Sequence, residues 1–196
     1  MSVVGSFLPA LDRIGRRLDG WAEWVLSYDE RALDGISYSP VLRRLDRLLV
    51  AVTYVGYGYL WGILALVLIL FGGPSDHRNV LIGLGTMIVT LILSQGAKAL
   101  VARPRPHFVR QGFHHQFLTN SSFPSNHTVA AFAMAYLVAR LYPSWPNVAT
   151  IYVVAALIGL SRVYLREHFP LDVMGGAALG TYMAHALLPL FATLVL

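Results

Sequence analysis

The chain has 196 residues, 56% of them hydrophobic and only 13% charged, with a formal net charge of +5 and no cysteine. That is about half the charge of an ordinary soluble domain, so the bilayer is its natural solvent, and disulfides, thiolate catalysis and Cys-ligated metals are excluded. Nucleic acid is not the partner the basic excess implies: seven of the basic residues precede residue 48, beside seven acids, a balance that suits anionic lipid headgroups.

Residues 1–47 alternate apolar side chains (Phe7, Leu8, Leu11, Ile14, Leu18, Trp21, Trp24, Val25, Leu26) with Asp12, Arg13, Arg16, Arg17, Asp19 and Glu23 at helical spacing. Such a pattern lies on a membrane or on the protein's own surface rather than crossing a bilayer, and it lacks the uninterrupted apolar core and cleavage site of a signal peptide. Residues 1–47 are expected to form an interfacial arm, and 48–196 a membrane-embedded domain.

Leu48 to Gly73 carries no charge and exceeds the roughly 20 residues needed to cross the hydrocarbon, which makes it the first expected span. After the turn cluster Gly72-Gly73-Pro74-Ser75-Asp76, Asn79 to Ala97 is a second span, ending at Lys98. Residues 103–125, broken by Pro104, Pro106 and Pro124, form a loop. A third span runs from Ser125 to about Tyr142. A fourth runs from Asn147 to about Leu165, with Ser161 and Arg162 in its last turn. The fifth runs from Pro170, a favourable first helical residue, to Leu196, with Gly175, Gly176 and Gly180 offering close helix contact. The expected fold is therefore all-α: a polytopic membrane helical bundle of about five transmembrane helices with an N-terminal interfacial amphipathic helix. Hairpin counting brings the 103–125 loop, the 166–170 turn and the arm to one side, and the seven arginines of the arm make that side cytoplasmic by the positive-inside rule.

After residue 47 only eight Lys/Arg and three Asp/Glu remain, and five of those bases and two of the acids fall in two clusters, Lys98–Arg105 and Arg162–Asp172. Charge at membrane depth is costly unless it is paired or lines a wet cavity, so it marks a site. Lys98, Arg105 and Arg162 offer a point charge and two planar forks suited to a phosphate. Ser125 and the amides after it, at a helix start, add N–H donors. Taken singly, an Arg at a span end reads as snorkelling and a Ser after Pro as a cap; these two clusters and a third, Pro124-Ser125-Asn126-His127, on one side read as an anion cage. His168 and Asp172 stand four apart, so the carboxylate can hold one imidazole nitrogen and leave the other as a nucleophile. His127, one turn into the third span, can protonate a leaving oxygen and then activate water.

The spacing Lys98, Arg105-Pro106; Pro124-Ser125-Asn126-His127; Ser161-Arg162, His168, Asp172 resembles the type 2 phosphatidic acid phosphatase superfamily, to which glucose-6-phosphatases and vanadium haloperoxidases also belong. The resemblance covers about 75 residues directly. It implies a phosphatase without cofactor or metal, in which His168 forms a phosphohistidine, Asp172 orients it, His127 is the general acid, and Lys98, Arg105, Ser125, Asn126 and Arg162 bind phosphate. It further implies a membrane lipid phosphate or diphosphate as substrate. An isoprenoid carrier such as undecaprenyl diphosphate comes first, phosphatidylglycerophosphate, phosphatidic acid or a polyprenyl-phosphosugar next, and a bacterial inner membrane is the implied location. A vanadium peroxidase is disfavoured by the apolar spans, and a non-catalytic lipid-binding protein by the completeness of the set.

Three departures stand out. The family has Gly where Asn126 stands; at a positive φ, Asn is the least costly replacement. Glu167 adds a carboxylate beside the cage and is expected to pair with Arg166. Bacterial relatives often have six spans and an outward site, so either the arm hides a span or this site faces inward. Arg103, two residues before Arg105, reads as a loop or headgroup contact. His107, His114 and His115 share the loop without a carboxylate to complete a metal site, and His185 reads as a packed histidine. Tyr54, Tyr57, Tyr59, Trp61 and Trp145 read as interface and packing residues. Oligomeric state is not encoded in any of these patterns.

Overall fold

The computed structural model describes residues 4–106 and 121–195, with the backbone alone for residues 4–19 and Tyr57. All regular structure among these residues is helical. The arm forms α1 (Val4–Ser37) and the short α2 (Pro40–Arg44). Ser39 caps α2 by accepting the Leu42 N–H at 3.4 Å, ahead of a proline at the first position. Leu33 and Ile36 of α1 pack on Val163 and Phe169, and the Ser37 hydroxyl donates to the Val163 carbonyl at 3.1 Å.

The first expected span is not one continuous helix. It consists of α3 (Asp46–Tyr54), a π-helical turn (Val55–Tyr59) and α4 (Leu60–Phe71). The break falls at Gly58, whose φ of 98° lies outside the helical region and suits a residue without Cβ. A Cβ on neighbouring Gly56 would lie 2.9 Å from Ile158 and 3.4 Å from the His127 ring, so glycine lets this turn press against the third and fourth expected spans.

Helix α5 (Pro74–Val101) begins earlier than the charge-free run suggested. Pro74 occupies the first turn and the Asp76 carboxylate accepts the Gly73 N–H at 2.8 Å, while Arg78 reaches the Ala192 carbonyl at 3.1 Å. The helix stops at Ala102, which turns into the left-handed region at φ 48°. Helix α6 (Asn126–Leu141) is central: Val129, Ala131, Ala133, Ala135 and Leu137 are buried. Its neighbours α7 (Trp145–Tyr164) and α8 (Pro170–Leu194) approach closely because α6 is alanine-rich and α8 offers glycines. A Cβ at Gly176 would lie 2.9 Å from the Ser125 carbonyl, and one at Gly180 would overlap the Val129 backbone, the small-xxx-small packing of membrane helices.

Among the described residues three helices, α5, α7 and α8, are long and apolar enough to cross a membrane. The 16 residues of α6 span about 24 Å; sheathed by its neighbours, α6 meets little lipid. The chain is an all-helical integral membrane protein.

Candidate active site

Four helix ends converge. Lys98 lies in the last turn of α5, Ser125, Asn126 and His127 open α6, Arg162 closes α7, and Asp172 lies in the first turn of α8. All the residues expected to form the site therefore lie at one end of the bundle. Lys98, Ser125, Arg162, His168 and Asp172 are buried, Ser125, Arg162 and Asp172 completely.

The α7–α8 connection is built by a left-handed turn. Arg166 has φ 59°, its N–H donates to the Val163 carbonyl at 2.9 Å, and the Glu167 N–H returns to the Arg162 carbonyl at 3.0 Å. This is the Schellman pairing that usually carries glycine. It turns the Arg166 side chain outward, to the Asp34 carboxylate and over the Tyr38 ring at 5.4 Å. Glu167 therefore does not pair with Arg166 as expected; it points inward and forms a buried ion pair with Arg162. The Arg105 guanidinium donates to the Glu167 carbonyl at 3.1 Å, bringing the two forks to the same strand of backbone.

His168 follows directly. Its Nδ1 faces the Asp172 Oδ2 at 3.7 Å, longer than a hydrogen bond and a distance that catalytic pairs often close only when substrate arrives. Asp172 Oδ2 also accepts the Phe169 N–H at 2.9 Å, which fixes the carboxylate at the N-terminus of α8. Burial pushes the His168 imidazole down from its ordinary 6.5 to about 3; Asp172 opposes the shift, and the nearby Arg162, Arg105 and Lys98 reinforce it. The imidazole is thus neutral near pH 7, as a nucleophile must be.

The ends of the 103–125 loop are stitched together. Lys98 Nζ donates to the Ser121 and Ser122 carbonyls at 2.9 and 3.4 Å. The Ser122 N–H donates to the Arg103 carbonyl at 2.7 Å, and its hydroxyl to that of Pro104 at 3.0 Å. The Ser125 N–H donates to the Asp172 carbonyl at 3.1 Å, joining α6 to α8, and its hydroxyl accepts from Thr128 at 3.1 Å. Asn126 does not have the positive φ allowed for it: it is the first residue of α6, and its side-chain oxygen accepts the Ser94 hydroxyl at 2.7 Å. Asparagine is kept here by a side-chain bond rather than by backbone freedom. His107, His114 and His115 lie outside the described residues. His185 is exposed, with Nδ1 at 2.7 Å from the Tyr136 hydroxyl.

Two residues that sequence reasoning missed reach this site. Arg103 is not a headgroup contact: it donates to Asp172 Oδ1 at 2.8 Å and to Asp29 Oδ2 at 2.7 Å. A signal for Asp29 exists, since it lies on the stripe Val25, Leu33, Ile36 of α1, an acid on an otherwise apolar face.

A cavity of about 880 Å3 is lined at one end by Asn126 and His127, along its length by Trp61, Gly83 and Met87, and at the other end by Tyr142. Its lining follows α6 from first turn to last, so it runs through most of the hydrocarbon depth.

A family model described as the PAP2 superfamily matches residues 79–195. The chain belongs to that superfamily. It is 30% identical over 152 residues to "Undecaprenyl-diphosphatase BcrC" of Bacillus subtilis (strain 168), covering 74% of this chain and 73% of that protein. It is 31% identical over 166 residues to "Phosphatidylglycerophosphatase B" of the same organism, covering 77% and 79%. Among solved structures, the transmembrane PAP2-type phosphatidylglycerolphosphate phosphatase from Bacillus subtilis superposes with a TM-score of 0.66 at 24% identity, covering 85% of each chain. With this family, these relatives and these spans, the PAP2 chain is a membrane-embedded hydrolase of lipid phosphate esters.

Proposed function

We propose that this PAP2 chain cleaves a polyprenyl diphosphate, releasing inorganic phosphate through a phosphohistidine at His168. The observation that carries the reading is the gathering of Lys98, Arg105 and Arg162 at one end of the bundle, where Asn126 and His127 line an apolar cavity. A headgroup phosphate suits the one and a long tail the other. The likeness to an undecaprenyl-diphosphatase supports the diphosphate; the phosphatidylglycerophosphatase relative supports a glycerophospholipid phosphate as the second substrate class.

Lys98, Arg105 and Arg162 hold the non-bridging oxygens, with Ser125 and Asn126 at the N-terminus of α6 beside them. With its proton on Nδ1, facing Asp172, His168 attacks phosphorus through Nε2. The bond from phosphorus to the leaving oxygen breaks, His127 protonates that oxygen, and Asp172 stabilises the imidazolium that forms. His127, now neutral, takes a proton from water. The hydroxide attacks phosphorus, the P–N bond breaks, and phosphate leaves. No step calls for a metal. The arm lies on the membrane surface at the site end, the membrane is a bacterial inner membrane, and the site faces the cytoplasm, as its arginines favour.

The test is phosphate release by the detergent-purified protein in chelator, offered undecaprenyl diphosphate, phosphatidylglycerophosphate, phosphatidic acid and a soluble phosphate ester. The diphosphate turns over fastest and the soluble ester slowest. Equal rates on all four overturn the tail reading, and no release from any overturns the phosphatase reading.

A further inference from the structure

We propose that Asp29 of α1, acting through Arg103, is a positioning residue for the Asp172–His168 pair, so that the arm completes the active site. The inference rests on His168 being the nucleophile and Asp172 its orienting carboxylate. Each oxygen of Asp172 has its own partner: Oδ2 takes the Phe169 N–H and faces His168, while Oδ1 is held by Arg103 at 2.8 Å. The other arm of the Arg103 fork is held by Asp29 at 2.7 Å, and its plane lies 4.1 Å above the Phe169 ring.

The second Asp29 oxygen accepts the Leu171 N–H at 3.0 Å, so α1 is tied to the first turn of the helix that carries Asp172. Asp29 and Asp172 are buried, and Arg103 is 14% exposed. One planar cation thus neutralises two buried carboxylates, a bridge that a point charge cannot reproduce. Without Asp29, the guanidinium is free to turn both nitrogens onto Asp172 and draw its charge from His168. Asp29 lies outside the matched region 79–195, so this contact is added by the arm.

The test uses the full-length protein and its best lipid substrate, with kcat, KM and melting midpoint measured for Asp29→Asn, Arg103→Ala, Arg103→Lys and the double variant Asp29→Asn/Arg103→Ala. Misplacing a reacting group by about 1 Å costs up to about a hundredfold. Accordingly Asp29→Asn lowers kcat about tenfold and Arg103→Ala between tenfold and a hundredfold, each with KM within about threefold of wild type. Asp29→Asn adds nothing in the Arg103→Ala background, because its effect passes through Arg103. Arg103→Lys stays nearer to Arg103→Ala than to wild type. Should Arg103→Ala not fold, Arg103→Gln takes its place in the comparison.

An unchanged kcat in Asp29→Asn overturns the proposal, as do fully additive effects. A raised KM at constant kcat in Arg103→Ala overturns it in favour of a phosphate contact, and lowered melting midpoints with intact kcat reduce both residues to structural ones. Wild-type turnover by His168→Ala instead overturns the reading on which the inference rests.

Discussion

Burial and the surrounding cations keep His168 unprotonated down to about pH 3, and this has consequences for both rate and stability. With His168 as the proposed nucleophile, a neutral imidazole is available throughout the neutral range, so a fall in kcat/KM between pH 7 and 5 belongs to another group. An unfolded chain binds a proton at His168 near pH 6.5, whereas the folded protein does not until about pH 3. This stability term is full above 6.5 and is lost as pH falls toward 3. The melting midpoint therefore drops as pH falls from 6.5 to 4, and His168→Gln flattens that slope; an unaltered slope contradicts a neutral buried His168. His127→Ala slows turnover about a hundredfold or more, least on a substrate whose leaving group needs no proton. An equal loss on all leaving groups denies it the role of acid.

That Lys98, Ser125, Asn126, His127, Arg162 and Asp172 gather at one end of the bundle was legible, because their types and spacing place them at the ends of apolar runs. The pairing of Asp29 with Arg103 was not, since it spans 74 positions of sequence; the place of Asp29 on the apolar stripe of α1 marks the acid but not its partner. Glu167 was misassigned because the left-handed turn at Arg166 reverses which side chain faces inward.

Charge-free runs gave the later helices with ends correct to a few residues, because apolar length is what the bilayer selects. The interruption at Gly56–Gly58 was hidden: composition is equally apolar on both sides, and the break exists for the sake of contacts with Ile158 and His127 that lie far along the chain. The contact of α6 with α8 is set by glycine. Gly180→Leu places a side chain on the Val129 backbone and costs about 1–3 kcal/mol or more. The measurement is the melting midpoint in detergent, where the substitution produces a clear drop; a midpoint equal to wild type would mean the two helices are not in contact there.

On the scale of the whole molecule, the bundle gathers charge at one end, and an apolar cavity runs from Asn126 and His127 at that end toward Tyr142. Its walls come from α4, α5, α6 and α7, a grouping that sequence periodicity does not specify because each apolar face looks like any other. Gly83 lines the cavity, and a Cβ built there meets nothing within 4 Å, so Gly83→Phe starts a side chain into that space. Its KM for a long-tailed phosphate rises about tenfold, as expected when about 1.4 kcal/mol of binding is removed, and kinetics on a soluble ester are unchanged. A loss on both substrates contradicts a tail-binding cavity.

The central claim is that a lipid phosphate is transferred to His168, and the direct measurement is a rapid alkaline quench of the protein during turnover, followed by peptide mapping. The account predicts phosphate on the peptide that carries His168, decaying with time as substrate is consumed, and none in His168→Ala, which also loses at least about a thousandfold in rate. Steady turnover with no adduct at any time, together with an active His168→Ala protein, would contradict it.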